Sequence, residues 1–147
     1  MPVELTRRGA GENCPARAVK KTALEVLRLL NQDKAELSLA LVGDSEIRKL
    51  NARYRKKDDA TDVLSFPAAE TLPGPIPVLG DVVISVDKAR AQAKERGRTL
   101  IEELTTLLIH GILHLLGYDH ERSARDARVM EGLERKVYRA LCERGFL

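Results

Sequence analysis

The sequence predicts an α+β fold, a small mixed β-sheet of about four strands packed against about five helices, with a central buried helix. Two observations predict it. Short β-rich runs are interspersed with segments of helical apolar period, in the order β-α-β-α-β-β-α-α-α. One of those helical segments, 99–116, is apolar around nearly its whole circumference, so it must be covered on most sides.

Residues 2–7 alternate through Val3 and Leu5 as a short opening strand. From about Arg17 to Leu30, Val19, Ala23, Val26, Leu27 and Leu30 recur at helical spacing. ELSLALVG, residues 36–43, reads as a strand ending at Gly43, after which Asp44 or Ser45 can cap a short helix striped by Ile47, Leu50 and Tyr54. TDVLSFP, residues 61–67, is a β-rich run stopped by proline. Pro67, Pro73, Pro75 and Pro77 make 67–79 a loop. GDVVISV, residues 80–86, is another strand, and Asp87 and Gly97 mark the start and stop of a helix.

Thr99 and Glu102 form a capping box at the head of the central helix, and Gly117 ends it. A last helix follows Ser123, which pairs with Asp126 in a box-like cap, and turns Met130, Leu133, Val137 and Leu141 to the core.

A chain of 147 residues suits a single domain, 1–147, large enough for a real core. With 44% apolar and 32% charged residues it has the balance of a soluble globular protein. No apolar window spans a membrane, and the N-terminus lacks a signal-like apolar stretch, so a cytoplasmic protein is expected. Cys14 and Cys142 lie far apart without metal-binding spacing and read as free thiols.

The net charge of +3 is modest, but its distribution is not. Arg48, Lys49, Arg53, Arg55, Lys56 and Lys57 place six positive charges within ten residues, with Asp58 and Asp59 following. Such a run is either a solvated helix end, with cations favoured by the helix dipole, or an anion-binding surface.

All three histidines fall in one stretch, 110–120. His110 and His114, four apart, share one helix face. Gly117 permits the sharp turn that returns His120 to the same point. Three neutral imidazoles leave a tetrahedral zinc one open position, the catalytic rather than the closed structural arrangement. Nickel or another divalent ion suits imidazole as well. The spacing matches the metzincin protease pattern H-E-x-x-H-x-x-G-x-x-H except that Gly111 replaces the glutamate base, which disfavours proteolysis. Met130 sits within the last helix and reads as core rather than as a Met-turn. Asp119 either orients an imidazole or bonds its own backbone in a turn. Asp62 and Asp81 read as turn or edge residues, and Tyr54 and Phe66, the candidate base stackers, read as core.

HGILHLLGYDH, residues 110–120, closely resembles the signature H-G-x-L-H-L-x-G-Y-D-H of the YbeY family, the bacterial endoribonucleases of ribosomal RNA maturation. Two further blocks resemble it independently: Asn51 to Asp58 with Thr61 to Pro67, and Leu79 to Ser85. The resemblance spans residues 36 to about 140 in order; the first 35 residues add little, and the proline loop is peculiar to this sequence. It implies a metal-dependent endoribonuclease specific for single strands, acting on ribosomal RNA (notably the 3′ end of the small-subunit RNA), associated with the ribosome and its quality control. By the same resemblance His110, His114 and His120 are the metal ligands and Arg55 is the functionally important arginine, so Arg55 and His110 are the catalytic candidates. Two other readings of the residues stay open: a ribosome-assembly factor with a mainly structural metal, and a metallohydrolase of another substrate.

Overall fold

Leu37, Leu39 and Leu41 alternate along one strand and are all buried, while Ser38 and Ala40 between them are only partly covered. That alternation orients a sheet with one heavily packed face. The computed structural model describes residues 3–68 and 78–147. Its strands are β1 (Val3–Arg7), β2 (Glu36–Val42), β3 (Val63–Pro67) and β4 (Val78–Ser85), and its helices are α1 (Ala16–Leu29), α2 (Asp44–Arg55), α3 (Val86–Arg96), α4 (Leu100–Leu115) and α5 (Ala124–Glu143). A 3-10 turn, Gly9–Asn13, lies between β1 and α1. The element order is the one the sequence predicts, and the fold is α+β with a four-stranded mixed sheet.

The strand order is β1-β2-β4-β3. β1 and β4 run parallel to β2, and β3 pairs antiparallel with β4 at the edge of the sheet. One face carries Leu37, Leu39, Leu41, Val82 and Ile84 into the main core, where they meet Val26 and Leu27 of α1 and Leu104, Leu108 and Ile112 of α4. The other face gives Val42, Leu64 and Val83 to a smaller cluster under Ile47 of α2. α4 is buried along most of its length, as its apolar circumference requires. Met130 is fully buried, so it is a core residue.

Several local readings need correction. α2 is not capped by Asp44 or Ser45; its N-cap is Gly43, and the backbone N–H of Asp44 donates to Asp87 Oδ2 at 2.8 Å. Asp87 therefore satisfies the first turn of α2 from another helix, and its own helix is capped by Ser85, whose hydroxyl accepts from the Lys88 N–H. β4 opens at Val78, two residues earlier than expected, and Pro67 belongs to β3, which is tolerated because β3 is an edge strand. The rest of the expected loop, residues 69–77, lies outside the described residues.

The capping box of α4 is present in both directions: Glu102 N–H donates to Thr99 Oγ1 at 3.2 Å, and Thr99 N–H donates to Glu102 Oε1 at 2.8 Å. Ser123 accepts from the Asp126 N–H at the head of α5. Cys14 is buried and Cys142 exposed, both as free thiols. No helix among the described residues is long and apolar enough to cross a membrane.

Candidate metal centre and cleft

One turn of helix brings His110 and His114 onto the same face of α4. The chain then reverses. Gly117 takes φ +98°, a left-handed value open to glycine, and the N–H groups of Gly117 and Tyr118 return to the carbonyls of His114 and Leu113. Asp119 Oδ1 accepts from the Glu121 N–H at 2.8 Å, so it closes a side-chain turn. Of the two roles open to Asp119, the turn is the one its hydrogen bond serves.

That reversal folds His120 back over the helix. The ring centroids lie 4.7 Å apart for His110 and His114, 5.1 Å for His110 and His120, and 5.4 Å for His114 and His120. One donor nitrogen from each ring falls within 4.8 Å of the others. His114 Nε2 and His110 Nε2 are 3.2 Å apart. Two nitrogens bound to a tetrahedral zinc at about 2.0–2.1 Å lie about 3.3 Å apart, so this pair already has the spacing a metal needs.

The donor chemistry fits as well. Burial first, and then neighbouring His110 and His120, push the His114 imidazole below its ordinary value of 6.5. A neutral ring is the form that binds metal. The three histidines are thus a group that can hold a metal ion.

These rings open into a cleft of about 580 Å³ between α4, the edge strand β3 and the loop after α2. Arg55 and Lys57 also line it, so part of the cationic run shares the cleft with the histidines. The rest of the run differs: Arg48 is paired with Asp58 at 2.9 Å, and Arg53 lies over the Tyr54 ring. Among the described residues no carboxylate pairs with Arg55, which leaves its guanidinium available to an anion.

Two residues that sequence reasoning missed support this arrangement. Asn51 is buried, and its Nδ2 donates to both the backbone oxygen and the Oδ1 of Asp59, which fixes the loop carrying Lys57. Its place in the family-like block, one turn before Arg55, was the available signal. Glu134 of α5 contacts His110 Nδ1 at 3.3 Å, and nothing local in the sequence connects the two.

The remaining candidates fall outside the centre. Asp62 lines the cleft and accepts from Gln92 Nε2 at 3.2 Å, while Asp81 is exposed in β4. Tyr54 is not a core residue: it is 58% exposed and meets partly buried Phe66 edge-on, with centroids 5.5 Å apart. Tyr54 follows Ile47 and Leu50 along α2, but it borders an open groove over the sheet, beside Ala40, Phe66 and Val83, instead of closing on it.

Gly111 is set against the sheet. A Cβ there would lie 2.7 Å from Val82 Cγ1 and 3.3 Å from Ser65 Oγ. A glutamate at this position would run into β4, so the missing protease base follows from packing as well as from residue choice.

The endoribonuclease YbeY family model matches residues 7–142. The chain belongs to the YbeY family. It is 54% identical over 135 residues to an endoribonuclease YbeY of Myxococcus xanthus, covering 90% of this chain and 44% of that protein. It is 48% identical over 126 residues to the Sulfurihydrogenibium relative of the same name, covering 85% and 83%. The Geobacter sulfurreducens YbeY is 42% identical over 150 residues and is covered over 99% of its length. Among solved structures, the solution structure of TM1509 from Thermotoga maritima superposes with a TM-score of 0.64 at 27% identity, covering 92% of this chain and 86% of that one. The YbeY match takes in α4, the His120 turn and Arg55 together, and so includes every residue the histidine signature singles out.

Proposed function

We propose that this chain, acting through residues 1–147 as one domain, is a metal-dependent endoribonuclease that cuts single-stranded ribosomal RNA. The 3′ end of the small-subunit RNA and ribosome quality control are its setting, and the cytoplasm its place. The observation that carries this reading is the convergence, on one open cleft, of three imidazoles and of Arg55, which pairs with no carboxylate among the described residues. Membership of a family whose relatives are named endoribonucleases supports the same reaction.

His110, His114 and His120 would hold the ion, with zinc the ion best matched by a tris-imidazole set and nickel the nearest substitute. When bound, such an ion polarises a phosphoryl oxygen and makes water more acidic. Arg55 binds a phosphate through its planar fork of N–H donors and offsets the charge that grows on the phosphoryl oxygens during cleavage. Lys57, which lines the same cleft, adds a second positive charge for the neighbouring backbone phosphate. The cleft is lined by residues of β3, the edge strand of the sheet, and such a groove suits an extended single strand.

A mainly structural metal is the weaker reading. The main core closes without the histidine side chains, and His110 and His120 remain 25% and 41% exposed at the cleft. The test is cleavage of a labelled RNA carrying the small-subunit 3′ end, offered as a single strand and as a duplex, by the protein and by His114→Ala. Cutting of the single strand that vanishes in a folded His114→Ala supports the proposal. An unfolded His114→Ala, or a wild-type protein that binds metal and cuts nothing, would favour the assembly factor.

A further inference from the structure

His110 uses its two ring nitrogens in opposite directions. Nε2 lies 3.2 Å from His114 Nε2, on the side where the three imidazoles converge, while Nδ1 lies 3.3 Å from Glu134 Oε2. A neutral imidazole carries one proton, and the nitrogen that holds it cannot offer a lone pair. A carboxylate beside Nδ1 draws the proton there and leaves Nε2 free.

Glu134 is placed for this and for little else. Its only hydrogen-bond partner among the described residues is His110. It comes from α5, a different helix from His110, and the two residues are 24 positions apart. α5 itself is anchored by fully buried Met130, one helical turn before Glu134, and by buried Val137 on the following turn. The side chain is 24% exposed, so it is largely enclosed between α5 and α4.

We infer that Glu134 is a positioning residue of the metal centre: by accepting the Nδ1 proton of His110 it fixes the ring's tautomer and rotation and makes Nε2 a better ligand. This rests on the reading that the three histidines hold a metal. Carboxylate partners of metal-bound histidines typically contribute 10- to 100-fold in metal affinity.

The experiment is a zinc competition titration against a chromogenic chelator, with Glu134→Gln, Glu134→Ala and His114→Ala beside the wild type, and with melting of each metal-stripped protein. Glu134→Gln keeps the side chain's shape and loses its charge. Zinc affinity is expected to fall about tenfold in Glu134→Gln and toward 100-fold in Glu134→Ala, with metal-free melting unchanged. In the zinc-loaded protein, ¹⁵N shifts should report His110 protonated at Nδ1. Wild-type-like affinity in both Glu134 variants, or a lower metal-free melting temperature with unchanged affinity, would overturn the inference. A wild-type protein that binds no zinc would instead overturn the metal reading beneath it.

Discussion

The hydroxyl of Ser65 donates to the backbone carbonyl of Gly111 at 3.0 Å, tying the edge strand of the sheet to the helix that carries two of the three histidines. Val82, paired with Ser65 across the two strands, presses on the same glycine. The metal helix can approach the sheet this closely because residue 111 has no side chain.

Gly111→Ala therefore sets two effects against each other. Alanine favours the helix by about 1 kcal/mol, but its Cβ would lie 2.7 Å from a branched, stiff Val82. Overpacking should prevail, with a net loss of about 1–3 kcal/mol in urea unfolding. Val82→Ala introduced into the same chain should return part of that loss, and a Gly111→Ala protein as stable as wild type would remove the close approach from the account.

Arg55→Ala separates catalysis from metal binding. Losing one well-placed donor to a developing anion lowers kcat by about 100- to 1000-fold. Zinc content and melting temperature should stay at wild-type values, since Arg55 is exposed at the end of α2 and is not one of the three clustered histidines. Single-turnover cleavage of a saturating RNA measures the first, and metal analysis of the dialysed protein the second.

Much of this arrangement was legible in the chain because it is local. The Thr99 and Glu102 box lies within one turn, His110 and His114 are one turn apart, and Gly117 announces the reversal that returns His120. What was hidden depends on chain segments that meet only in three dimensions. Asp87 accepts the first N–H of α2 from 43 residues away, so its own position suggested the wrong helix. Glu134 reaches His110 from another helix. The stripe through Ile47, Leu50 and Tyr54 has the period of a buried face, yet the last of the three borders an open groove over the sheet, which the period of one helix does not reveal. The motif letters showed that Gly111 lacks a carboxylate; only the packing shows that none could fit.

Glu103 offers a test of buried charge. Its carboxylate is fully buried on α4 and held by Arg96 at 2.7 Å and Arg98 at 3.7 Å, whose side chains are 53% and 25% exposed. Removing both arginines strands a buried carboxylate and should cost about 3 kcal/mol in chemical denaturation. Glu103→Gln should cost less, because the arginines can turn to water. Equal losses in the two proteins would contradict this asymmetry.

Glu25 makes a prediction about pH. The Arg28 hydrogen bond holds its carboxyl below the ordinary 4.5, against the upward push of burial, and Arg144 lowers it further from the C-terminal end. A depressed value means that the folded state favours the charged form, so its stabilisation is complete above about 4.5 and is lost as pH falls through the lower folded value. Wild type should exceed Glu25→Gln in stability at neutral pH, and the gap should close in strong acid. A gap unchanged from pH 7 to pH 2 would show that the ion pairs are not its source.

The most direct measurement is a zinc titration of metal-stripped protein while cleavage of a labelled single-stranded RNA is followed. Cleavage should be absent without metal, rise with added zinc and level off at one ion per chain. Equal cleavage by the stripped and loaded protein, or a loaded protein that leaves the RNA intact, would contradict a metal-dependent endoribonuclease centred on His110, His114 and His120.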